Sequence, residues 1–200
     1  VPVGGWVEGP LAEACDLAGV DNVMIWLMTD PDFTNQLLDK CLNLAKKFAK
    51  AQIDEGCDLI GVGDAICSQI DRETYDLFVR DRHAELISFI HELGVPVKLH
   101  ICGNINHLLE SIKTVDTDII DLDWHVDIND ARRILGNDIV LGGNINPVLV
   151  QDKTENEVFD MSKALVDTFR GQKFLLAAGC EIIVLTPHQN LMAMRKASYF

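Results

Sequence analysis

Six short apolar runs punctuate the chain at regular intervals: Val3 to Val7, Asp58 to Val62, Val95 to Ile101, Asp118 to Leu122, Asp138 to Leu141 and Phe174 to Ala178. Each has strand length and is nearly continuous rather than alternating, the pattern of strands covered on both faces of a parallel sheet. Between the runs the period changes to that of a helix. After Asp30-Pro31, a cap followed by a first helical proline, Leu37, Cys41, Leu44 and Phe48 recur at three- to four-residue spacing until Gly56. The segment from Glu73 to Leu93 turns Leu77, Leu86, Phe89, Ile90 and Leu93 inward, and Gly94 with Pro96 stops it. Thr154 and Glu157 form a capping-box pattern ahead of Val158, Met161, Leu165 and Phe169, with Gly171 as the stop, and Thr186-Pro187 opens a last helix.

Six β-α units without a linker or shift of composition predict one α/β domain over residues 1–200. Two architectures accommodate them, an open doubly wound sheet and most of a (β/α)8 barrel. Polar candidates cluster just after the strands, at Asp64, Asp123, Asn144 and Cys180, and no G-x-G-x-x-G follows the first strand. Both details favour the TIM-type barrel. The first residues form a strand with no initiator methionine, so the chain is expected to be a barrel fragment.

Charge and cysteine content narrow the function. With 31 acidic and 17 basic side chains the formal charge is −14 at pH 7, which repels nucleic acid and anionic lipid. No apolar run approaches the length of a membrane span and no secretory signal is visible, so a cytoplasmic protein is expected. Six scattered cysteines in such a chain are expected to be reduced thiols. Cys15, Cys41, Cys57 and Cys67 read as small buried apolar residues, although Cys67 follows a strand and could line a site.

The remaining two cysteines carry the chemistry. In Lys98-Leu99-His100-Ile101-Cys102-Gly103-Asn104, alternate residues of an extended chain point the same way, so His100 and Cys102 face one point while Ile101 packs opposite. Cys180 follows a later strand. Three N/S donors with one open position describe a catalytic zinc site, although a lone H-x-C pair in an apolar strand is more often core. His83, His91 and His107 lie on helical patterns without a partner in register and read as surface histidines; His125, after Asp123-Trp124, reads as a capping or solvated one with a place at the pocket mouth as the alternative, and His188 as a residue of a first helical turn.

An ordered series of motifs resembles the uroporphyrinogen decarboxylase superfamily, in its zinc-dependent methylcobamide:thiol methyltransferase branch. The series comprises Gly9-Pro10, Gln52-Ile53-Asp54-Glu55-Gly56-Cys57-Asp58, Gly63-Asp64, His100-Ile101-Cys102-Gly103-Asn104, Asp121-Leu122-Asp123-Trp124 and Leu141-Gly142-Gly143-Asn144-Ile145-Asn146-Pro147. Gly179-Cys180-Glu181 and Thr186-Pro187-His188-Gln189-Asn190-Leu191 complete it. The resemblance implies a barrel of which this chain supplies the third to eighth β-α units, lacking the first two. Exposed sheet edges then predict partnering or oligomer formation.

The resemblance also implies that His100, Cys102 and Cys180 bind one Zn2+, and that a methylcobamide on a separate corrinoid protein donates its methyl group to a small thiol such as coenzyme M. Asp64 is expected in the pocket, on the substrate or on the second nitrogen of His100, with capping of the following helix as the alternative. Glu181, beside Cys180, faces away if the chain there is extended. Two other functions stay open: a metal-free tetrapyrrole decarboxylase using an aspartate such as Asp64, and a non-catalytic corrinoid-binding module.

Overall fold

A computed structural model describes residues 1–199. Its strands β1 (Gly4–Glu8), β2 (Leu59–Gly63), β3 (Val97–Ile101), β4 (Ile119–Leu122), β5 (Val140–Ile145) and β6 (Phe174–Ala178) form one sheet in chain order. Every neighbouring pair is parallel. A doubly wound sheet reverses its strand order at a switch point, whereas a barrel adds each strand beside the last, so the unbroken order selects the partial barrel.

Helices α1 (Pro10–Ala18), α2 (Val20–Thr29), α3 (Pro31–Asp54), α4 (Arg72–Phe78), α5 (Arg80–Glu92), α6 (Leu109–Ile112), α7 (Ile128–Leu135), α8 (Pro147–Asp152), α9 (Glu155–Thr168) and α10 (His188–Ala197) connect and cover the strands. Asp30 caps α3 by accepting from Phe33 N at 3.1 Å, and the Thr154–Glu157 capping box opens α9. The periodicity from Glu73 to Leu93 suggested one helix, but the backbone breaks it at Val79 (φ −118°, ψ −44°) into α4 and α5. Residues 10–29, which the pattern left unassigned, form α1 and α2, separated by Gly19 at φ 85°.

Register divides the sheet into two unlike faces. Val7, Ile60, Val62, Val97, Leu99, Ile101, Ile120, Leu122 and Leu141 are buried against the helices. Partnered residues of parallel strands point the same way, so the opposite, inner face carries Trp6 with Gly61, Gly61 with Lys98, Gly63 with His100, His100 with Asp121, and Asp121 with Gly142. The expectation of strands apolar on both faces therefore holds for the helix side alone. The Trp6 indole lies across Gly61 and Gly63, where a Cβ would collide with its ring.

Gly142, Gly143 and Asn144, which follow the fifth apolar run in the sequence, belong to β5 itself. Here glycine serves close approach. A Cβ on Gly142 would sit 3.0 Å from Asp121 Oδ1, and one on Gly143 only 2.6 Å from the Leu122 carbonyl. Gly143 also has φ 114°, which side chains resist. Gly143→Ala is expected to destabilise the fold by more than about 1 kcal/mol, measured as a lowered urea midpoint.

Candidate metal centre

β3 ends by placing His100 on the inner face, and the chain then turns through Cys102 and Gly103 at φ 88°. His100 Nδ1 lies 2.9 Å from the Asp121 carbonyl of β4. A carbonyl oxygen only accepts, so Nδ1 carries the proton and Nε2 is the bare nitrogen. Nε2 is 3.1 Å from Cys102 Sγ, which is 3.5 Å from Cys180 Sγ beyond β6. All six cysteines are free thiols, as the sequence suggested.

The residues fit a tetrahedral ion. Zn–N near 2.0 Å and Zn–S near 2.3 Å put neighbouring donors about 3.5–3.8 Å apart. The three ligand atoms here lie within 4.8 Å of one another and converge from the end of β3, the turn after it and the segment beyond β6. Burial, then the hydrogen bond and charge of Cys180, push the Cys102 thiol up to about 12. Crowded sulfurs resist ionising together; a divalent cation between them reverses that preference.

The loops carrying the two thiols are seated on a third. Asp123, beyond β4, accepts from Gly103 N at 2.9 Å through Oδ2, and from His125 N at 3.0 Å and Nδ1 at 2.7 Å through Oδ1. Burial pushes the Asp123 carboxyl up, but the hydrogen bonds from Gly103 and His125 outweigh it and hold the group below its usual range. On the other side Gly179, next to Cys180, packs so tightly against the Asp123-Trp124 backbone that a Cβ would overlap it. Asn144 Nδ2 donates to the Asp123 and Val126 carbonyls at 3.2 and 2.8 Å, tying in the end of β5.

Asp64 is not brought to the trio. Gly63 pairs with His100, so the next residue turns to the helix side. There the Asp64 carboxylate, fully buried, accepts from Leu11 N at 3.2 Å, Ala12 N at 2.7 Å and His83 Nε2 at 2.9 Å. It caps α1, the helix after β1, rather than the one following Asp64, and Asp121 rather than Asp64 orients His100. Glu181 is exposed and stands outside the convergent trio.

His83 corrects its reading as a surface residue: it is fully buried between Asp64 and the Tyr75 hydroxyl, 3.0 Å from Nδ1. Its Nε2–H serves the carboxylate and Nδ1 accepts from the phenol, which burial keeps protonated. Cys67 completes a second convergent set with Asp64 and His83, also fully buried. The sequence hid this network because α5 had no visible partner for His83; the partner comes from a strand end 19 residues earlier. His91, half-buried, meets Asp118 at 2.8 Å, and exposed His107 meets the Ile70 carbonyl at 2.9 Å.

Lys98, two residues before His100, pairs with Asp121 Oδ2 at 3.0 Å, while Asp121 Oδ1 is buried without a partner. Arg132 is held by the carbonyls of Gly136, Ile139 and Lys173 and Arg133 pairs with Asp130, so both serve local structure. A cleft of about 710 Å³ between α1 and α3, lined by Leu17, Gln36, Lys40 and Lys47, meets none of the residues at the strand ends.

The model of the uroporphyrinogen decarboxylase (URO-D) family matches residues 1–199. The chain belongs to that family. This URO-D member is 32% identical over 197 residues to a methylcobamide:CoM methyltransferase of Methanosarcina acetivorans, covering 97% of this chain and 57% of the relative. It is 28% identical over 163 residues to a uroporphyrinogen decarboxylase of Prochlorococcus marinus, covering 80% of this chain and 46% of that one. A solved methyltransferase from Methanosarcina mazei superposes with TM-score 0.91 at 25% identity, over 100% of this chain and 58% of that chain. The URO-D member thus spans about half the length of the curated relatives it matches. Among the described residues no helix is long and apolar enough to cross a membrane.

The buried network generates a stability prediction independent of the metal. His83→Ala strands the Asp64 carboxylate and the Tyr75 hydroxyl in the interior, and is expected to destabilise the protein by about 3 kcal/mol, read from chemical denaturation.

Proposed function

We propose that this chain carries the thiol-activating site of a methyltransferase that moves a methyl group from a methylated corrinoid, held by a partner protein, to a small thiol such as coenzyme M. The convergence of His100 Nε2, Cys102 Sγ and Cys180 Sγ carries the reading. Curated relatives named methylcobamide:CoM methyltransferases support it. Zinc held there supplies the Lewis acidity that keeps an acceptor thiol ionised near neutral pH.

The chain's own residues set the character of that site. Asp121 presents the His100 lone pair, and Asp123 holds the turn that carries Cys102. Two cysteines and a neutral imidazole give a ligand set whose charge offsets that of the dication, so an acceptor sulfur retains electron density for attack. In the transfer, a sulfur–carbon bond forms as the carbon–cobalt bond breaks, and both electrons of the latter stay on cobalt. A metal-free tetrapyrrole decarboxylase rests on similarity to decarboxylases alone and has no use for the trio.

Metal analysis of the purified protein is expected to find about one zinc per chain, with His100→Ala and Cys180→Ser each losing most of it. Uptake should weaken as pH falls, because both thiols surrender protons to bind, and proton release on titration with zinc measures this. The zinc-loaded protein should methylate coenzyme M from methylcobalamin, and either variant should lower the rate by at least about 100-fold. Zinc retained by both variants removes the assignment. Corrinoid binding without transfer to any thiol would indicate a binding module, and tetrapyrrole decarboxylation without metal the decarboxylase.

A further inference from the structure

Binding a thiol as its anion releases a proton, and the three proposed metal donors are poorly placed to take it: His100 uses Nδ1 on Asp121 and aims Nε2 at the sulfurs. His125 stands at the same rim in a different state. Its Nδ1 is tied to Asp123 Oδ1 at 2.7 Å, and among the described residues Nε2 has no hydrogen-bond partner. Its side chain is 47% exposed, whereas that of Asp123 is 5% exposed. A buried carboxylate that only accepts fixes the tautomer, leaving Nε2 as a bare acceptor facing solvent.

Position supports a catalytic use. Asp123 binds His125 through one oxygen and the amide after Cys102 through the other, so the imidazole stands one carboxylate's width from the turn bearing that thiol. The backbone of residues 123–124 is in close contact with Gly179, the neighbour of Cys180. Trp124, 40% exposed, lies under the His125 ring with centroids 3.6 Å apart and limits its swing. The imidazole is thus braced by an indole and by the carboxylate that also holds the turn after Cys102, on a segment whose backbone touches the neighbour of Cys180. The buried Asp64–His83–Tyr75 set has the same elements, but both His83 nitrogens are engaged and solvent is excluded.

We propose that His125, oriented by Asp123, is the general base that takes the proton of the incoming thiol. This rests on the methyltransferase reading and adds to it a catalytic residue outside the metal donors. In the step, the S–H bond breaks, its electron pair stays on sulfur, and the proton forms an N–H bond at Nε2. The imidazolium then returns the proton to solvent, so one proton is released for each thiol methylated.

The test uses the full chain loaded with cobalt(II), coenzyme M as the thiol, and stopped-flow absorption of the sulfur-to-cobalt band. His125→Ala and His125→Gln are each expected to slow the growth of that band by about 100-fold with metal content and final amplitude unchanged. Gln retains a donor for Asp123, so it separates loop support from proton transfer. Added imidazole should restore most of the rate to His125→Ala. Wild-type rates in both variants overturn the proposal, as does a loss confined to Ala or one that imidazole leaves untouched. Metal in all three proteins with equal rates sinks this inference alone; no metal uptake by the wild type sinks the methyltransferase reading with it.

Discussion

The contact between His100 Nδ1 and the Asp121 carbonyl is the interaction on which the proposed centre depends. Because that oxygen can only accept, it determines which ring nitrogen holds the proton and so which faces the two sulfurs. The partner is backbone rather than side chain, and its position follows from the pairing of β3 with β4, in which His100 is the register partner of Asp121. A slip of one residue would turn His100 into the helix layer and dissolve the trio. The packing of Leu99 and Ile101 against the helices, both buried, therefore fixes the direction of the inner-face imidazole.

The carboxylates at the strand ends divide according to strand alternation. Asp64 faces outward and, with His83 and Tyr75, closes a buried network that secures the start of α1. Asp123 holds Gly103 and His125 at the rim. Both accept three N–H groups each, yet one is sealed and the other has a half-exposed partner. Chemistry at the second is compatible with stability because the rigid part, Asp123, is buried and only the imidazole reaches solvent.

Much of this was legible in the sequence for identifiable reasons. Strands whose helix-side residues are large and apolar announce themselves, and all six appear within a few residues of the sequence reading, because burial and periodicity are local signals. The H-x-C spacing exposed His100 and Cys102 through the same alternation. Cys180 was marked only by its place after a strand, and the ordered family resemblance was needed to join it to the H-x-C pair. Asp64 was misplaced because the residue after Gly63 inherits the outward direction only once the β2–β3 register is known. The β5 glycines fell outside the fifth apolar run for a related reason: the demand for them comes from Asp121 and Leu122 on the neighbouring strand. His83 failed similarly, as its partner lies beyond any helical or strand period.

Lys98 shows how the inner face balances its charges close to the donors. Its ammonium pairs with Asp121 Oδ2 and stands 5.6 Å from the centre of the Trp6 ring. An unpaired Asp121 carboxylate beside the imidazole, with Oδ2 3.8 Å from Nδ1, would compete with the backbone carbonyl for the His100 proton. The lysine draws Oδ2 away from that competition and leaves the carbonyl at 2.9 Å as the shorter contact. The orientation of His100 thus depends on one backbone acceptor made dominant by a neighbouring ion pair, and the glycine at position 142 leaves room for that carboxylate where a Cβ would press on Oδ1 at 3.0 Å.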